Sequence, residues 1–178
     1  RPAGRRGFVV VHAVPVPGGI SIHKLNIYTT WCPGLRRGRG RVYALPMALP
    51  VENDRHCFCC GPDNPHGLHL AIAYPAKGAA EASLVVDPRF AGWKGITHGG
   101  LLSTVLDELM AHACISAGAK TVTAEMTIRF VKAVPVGSRV RVTGSVTSER
   151  GRLVTTEGKL YDAEGQLAAE ATARFVKV

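Results

Sequence analysis

The stretch THGGLLSTVLDELMAHACISAG (97–118) decides the fold. Thr97 is the expected N-cap, and Gly118 falls where a helix C-terminus wants a left-handed residue. Between them Leu101, Leu102, Val105, Leu106, Leu109, Met110, Ala113 and Ile115 cover most of the helix circumference. A helix that is apolar nearly all round cannot lie on a surface; other structure must wrap it.

On either side the period changes from 3.6 to two. LHLAIAY (68–74) and EASLVV (81–86) read as strands joined by the turn PAKG, and DPRFAGWKG (87–95) reads as a loop. After the helix, 121–133, 138–149, 152–162 and 166–178 read as long strands separated by PVG, RG and DAEG. Connections this short make antiparallel neighbours. The expected architecture is α+β: one long central helix wrapped by a curved antiparallel sheet, with Gly144 and Gly158 as candidate bends.

At 178 residues and 46% hydrophobic, the chain can bury a substantial core, and its composition excludes a disordered or collagen-like polymer. No apolar run reaches the ~18–20 residues of a membrane span, so no membrane association is expected. Five cysteines do not close a disulfide framework, and nothing reads as a cleaved secretory signal; a reducing cytoplasm is the expected compartment. The +9 charge is concentrated. Residues 1–46 hold eight of the 22 basic residues and none of the 13 acids, so they carry +8 of it. Arg36 to Arg41 lie in a Gly-rich run with few aromatics, a poor nucleic-acid surface, and no nucleic-acid partner is expected. This segment mixes Pro-Gly clusters with short apolar runs and precedes the first methionine, Met47. It is expected to lie outside the fold, with the domain spanning 47–178.

Asp107 is the most informative residue. A carboxylate in the middle of an apolar helix is costly unless it is partnered or used. Its helical neighbours are Ser103, Thr104, Met110 and Ala111. Two readings stay open: a structural carboxylate bonded to Ser103 or to a strand, and a functional acid or base. Glu108 faces Thr104 and His112, so an i,i+4 pair with His112 accounts for it. At the helix start, His98-Gly99-Gly100 offers backbone N–H groups at the positive end of the dipole, suited to polarising a carbonyl. Gly100 and Asp107 are seven residues apart, roughly 10 Å along the axis. If both act on one bond they come from different chains, which predicts a homodimer with sites across its two-fold interface.

CFCCGPDNPHGLHL (57–70), FAGWKGITHGGLLSTVLDELMAHA (90–113) and TAEMTIRFVKAVPVGSRV (123–140) together resemble the hotdog-fold thioesterase superfamily, in its phenylacetyl-CoA thioesterase-like branch. The resemblance spans about 57–178. It implies hydrolysis of acyl-CoA thioesters without metal or cofactor, by a homodimer or a tetramer built from it. Asp107 matches the catalytic acid, as general base or nucleophile. Gly99 and Gly100 match the oxyanion-binding helix start, His98 the histidine that orients the carbonyl, and Thr123 a hydroxyl that positions the water or the Asp. Where several relatives carry an Asn before the histidine, this chain has Gly92-Trp93. Arg129 and Lys132 are expected near the CoA phosphates, and Trp93, Leu106 and Met110 in the acyl pocket. The alternative is a non-catalytic acyl-CoA sensor on the same fold.

Cys57-x-x-Cys60 followed by His66-x-x-His69 is compressed relative to zinc fingers, and no second cysteine pair follows. A structural loop over the domain edge, without metal, is the expectation.

Overall fold

The computed structural model describes the backbone of 12–16 and 19–26, Glu52, and residues 55–178. The central helix α1 runs Gly99–Ser116. Around it lie β3 (Ala79–Val85), β6 (Thr121–Phe130), β7 (Arg139–Arg150), β8 (Leu153–Tyr161) and β9 (Leu167–Lys177), in the sheet order β6-β9-β8-β7-β3, all antiparallel. Between β3 and α1, β4 (Ala91–Trp93) and β5 (Ile96–Thr97) form a small separate ribbon. No helix among the described residues is long and apolar enough to cross a membrane.

The five long strands appear where the period-two pattern places them. The stretch 68–74 does not become a strand; only Ala73 bridges Glu81. The loop 87–95 holds a 3-10 turn at Pro88–Phe90 and β4, too short for a periodicity to register. Residues 12–16 and 19–26 form strands β1 and β2, a hairpin that the Pro-Gly clusters hide. β2 meets β6 through Leu25–Ile128 and Asn26–Thr127. The rest of the expected extension lies outside the described residues.

The core is the inner face of the sheet closed on α1. Leu106, Leu109, Met110, Val140, Val142, Val154, Leu160 and Phe175 are fully buried. Gly144 and Gly158 pair with each other on β7 and β8. They make room rather than bends. A Cβ on Gly144 would meet the Leu109 carbonyl, and one on Gly158 would press on Leu106 and Met110. The helix therefore sits against the sheet backbone itself.

The sheet leaves one stripe of α1 less covered: Thr104, Asp107, Glu108, Ala111 and His112 are half-buried and Ile115 is exposed. These positions recur every three or four residues, a single helical face. The helix's two carboxylates and its histidine, Asp107, Glu108 and His112, all lie in that seam.

Opposite the seam's centre, β6 is irregular. Its register against β9 shifts between Thr123, which pairs with Phe175, and Glu125, which pairs with Arg174. That extra residue is a bulge, a device that re-aims a side chain.

Candidate active site

α1 starts one residue later than expected. His98 is the N-cap: its backbone is extended, and its Nδ1 accepts the Gly100 N–H at 2.9 Å. Thr97 instead points its Oγ1 into the interior, where it finds no partner among the described residues. The His98 N–H donates to Phe90 O at 2.8 Å, which ties the cap to the 3-10 turn. Gly92 lies against His98; a Cβ there would come 3.0 Å from His98 Cα and 3.2 Å from its Cδ2. Glycine at 92 is thus a packing requirement of the histidine.

The Gly100 N–H is not free, as the sequence reading supposed; the imidazole holds it. An Nδ1 that accepts is unprotonated, so the neutral ring carries its hydrogen on Nε2. The His98 ring can point that N–H away from the helix end, beside an open groove of about 380 Å³ lined by Phe58, Arg89, Phe90, His98, Leu101 and Thr104.

Asp107 is satisfied from a strand. Thr123 Oγ1 donates to Asp107 Oδ1 at 2.9 Å. Among the described residues no second side chain bonds this carboxylate. Ser103 and Thr104 are committed elsewhere, donating to Gly99 O and Gly100 O, each at 2.9 Å. Burial pushes the Asp107 pKa above the ordinary carboxylate range; the Thr123 hydrogen bond opposes this and the charge of Glu108 adds to it.

Glu108 belongs to a different network. Its Oε1 lies 3.3 Å from His112 Nε2, the expected i,i+4 pair, and 3.4 Å from Cys57 Sγ. Tyr74 OH lies 2.7 Å from His112 Nδ1. Burial pushes Glu108 up, but the hydrogen bonds of His112, Cys60 and Cys57 outweigh it and hold its pKa below the usual value.

The other expected contacts fall elsewhere. Leu106 and Met110 face the sheet, fully buried, and pack against Gly158. Trp93 is 81% exposed on the β4–β5 ribbon. Arg129 pairs with Glu170 at 2.7 Å, and Lys132 bonds Asp162 and Gln166. Arg129 is paired across two strands, and Lys132, just past β6, is held by the β8–β9 turn. The structure brings Arg89 to the helix-start groove instead, its guanidinium stacked 4.8 Å over Phe90. No pattern in the sequence singles it out, ten residues before the helix begins.

Residues 94–169 match the family model of the thioesterase superfamily. The acyl-coenzyme A thioesterase THEM4 of Xenopus laevis is 29% identical over 92 residues, 51% of this chain and 41% of that protein. The match therefore spans well under half of that relative's length. A crystal structure of a thioesterase superfamily protein superposes with a TM-score of 0.66 at 26% identity, covering 69% of this chain and 61% of the other. A Streptococcus mutans protein solved with acetyl-CoA shares the fold, with a TM-score of 0.59 at 20% identity over 61% of this chain and 88% of that one. One helix wrapped by five antiparallel strands, with an acid-bearing seam and a thioesterase-superfamily model matching its centre, gives this domain the fold of the solved thioesterase superfamily protein.

Proposed function

We propose that the protein hydrolyses acyl-CoA thioesters to the free acid and CoA, with Asp107 as general base. The observation that carries this is the Asp107–Thr123 pair. A half-buried carboxylate with a raised pKa is held by one strand hydroxyl on Oδ1, which leaves Oδ2 to accept from water. The family model and the acyl-CoA thioesterase similarity support the substrate class.

In the reaction, water gives a proton to Asp107 and its oxygen bonds the thioester carbon. The tetrahedral oxyanion collapses, the C–S bond breaks, and the departing CoA thiolate takes up the proton. The α1 start supplies positive potential for the oxyanion through Gly99 and Gly100, with His98 turning between cap and carbonyl. The axial separation of Gly100 and Asp107, ~10 Å, supports the reading that the two halves of one site come from different protomers of a homodimer. We assign Arg89, at the groove mouth, to the CoA phosphates.

The test is an acyl-CoA panel of aryl, short and long chains, assayed by CoA release with wild type and Asp107→Asn. Hydrolysis by wild type and its loss in the variant is the expected result. Tight binding without turnover in wild type would instead make the domain a sensor.

A further inference from the structure

The sequence set Cys57 and Cys60 beside His66 and His69, but the fold separates them: both histidines are exposed. It brings the two cysteines to the seam of α1 instead. Cys57 Sγ, Cys60 Sγ and a Glu108 carboxylate oxygen all lie within 4.8 Å of one another, and all three residues are half-buried.

We propose that Cys57, Cys60 and Glu108 form a binding site for a thiolate-seeking divalent cation of the zinc class. The donor set is two sulfurs and a carboxylate. With metal–sulfur distances of about 2.3 Å and metal–oxygen distances of about 2.0–2.2 Å, a tetrahedral centre needs donors somewhat under 4 Å apart. The cluster needs only a small contraction to close on an ion. Its frame is already bent for this. Gly61 N–H donates to Cys57 O at 2.9 Å, closing the Cys-x-x-Cys turn. The Cys59 N–H donates to Cys57 Sγ at 3.3 Å, which fixes the sulfur within the turn. A side chain at 61 would fill the turn, since its Cβ would fall 2.4 Å from Cys57 N.

His112 completes the surroundings. Its Nε2 faces Glu108 and its Nδ1 faces Tyr74 OH. A ring whose outer nitrogen bonds a hydroxyl is the arrangement that orients an imidazole toward a metal. Its Nε2 lies 3.3 Å from the Glu108 Oε1, so the ring steadies the carboxylate donor. A divalent ion replaces two thiol protons, forming two metal–sulfur bonds and releasing two protons to solvent, with no change of oxidation state. Occupancy staples the 57–70 loop to α1 next to Asp107.

The test uses the full chain, reduced with a phosphine and titrated with cobalt(II) alone. The expected result is saturation at one ion per chain, with a thiolate-to-cobalt charge-transfer band and release of two protons. Cys57→Ser and Cys60→Ser should each abolish the band, and Cys114→Ala should keep it. His112→Ala should weaken binding about ten- to a hundredfold. Absence of the band in wild type, or its survival in the Cys57→Ser/Cys60→Ser double variant, overturns the site. If the serine variants do not fold, wild type suffices. Zinc should protect Cys57 and Cys60 from alkylation as mapped by mass spectrometry, and equal alkylation with and without zinc overturns it.

Discussion

Gly144 lies directly beneath Leu109: a Cβ at 144 would sit 2.2 Å from the Leu109 carbonyl oxygen. The obstacle is main chain, which cannot swing aside. Gly144→Ala should therefore destabilise at or beyond the upper end of overpacking costs, about 3 kcal/mol. At Gly158 the obstacles are the ends of Leu106 and Met110, at 3.1–3.2 Å, and Met110 is flexible. Gly158→Ala should cost nearer 1 kcal/mol. Urea denaturation of both variants checks the contrast.

Asp107→Asn should lower kcat by about 10²–10⁴-fold, the usual contribution of a general base. It should also stabilise the fold at neutral pH. A carboxyl whose folded pKa is raised is favourable to folding only while protonated, so its penalty appears as pH rises through the unfolded and then the folded value. Asn removes that penalty and still accepts from Thr123. Melting temperatures from pH 4 to 8 should show the variant gaining on wild type as pH rises.

Thr123→Val deletes the hydrogen bond that holds the Asp107 pKa down. The acid limb of the kcat/KM profile should move to higher pH. The plateau should fall about 10–100-fold, as for a hydrogen bond to a charged group worth ~1.5–3 kcal/mol. Thr123→Ser should restore both.

His98→Ala removes the α1 cap and should cost about 0.5–2 kcal/mol in thermal or chemical denaturation. Asn is a good cap, so His98→Asn should recover the stability. Activity that stays low in the Asn variant assigns the imidazole a role beyond capping.

Arg89→Ala should raise KM for acyl-CoA with little change in kcat. The same substitution at Arg129, held by Glu170 at 2.7 Å where Arg89 has Asp87 at 3.7 Å, should leave KM unaltered. Dephospho-CoA esters, which lack one phosphate, should narrow the Arg89 difference.

The helix and its five long strands were legible because burial on one side of a sheet enforces alternation, and burial all round enforces an apolar rod. Gly118 was legible too: it takes φ +87 just past the helix. What sequence spacing does not encode is which distant segment faces a given turn. Asp107 stood out alone, and Thr123 joined it only through family resemblance. No spacing rule pairs Cys57 with Glu108, because the fold supplies their proximity across 51 positions. Leu106 and Met110 show the same limit: the fold packs both against Gly158. Periodicity says that a residue is buried; it does not say whether it faces a sheet or a cleft.

The irregular step in β6 acts as a vernier between two surfaces. Downstream, Ile128 must point inward to the core; upstream, Thr123 must reach a different side of α1. One surplus residue between Thr123 and Glu125 lets a single strand serve both phases. Excising Ala124 keeps every reactive side chain yet turns the hydroxyl through the sheet. Such a shortened protein should lose at least as much activity toward thioesters as Thr123→Val, since the strand's reading frame, and not only its residue inventory, carries the chemistry.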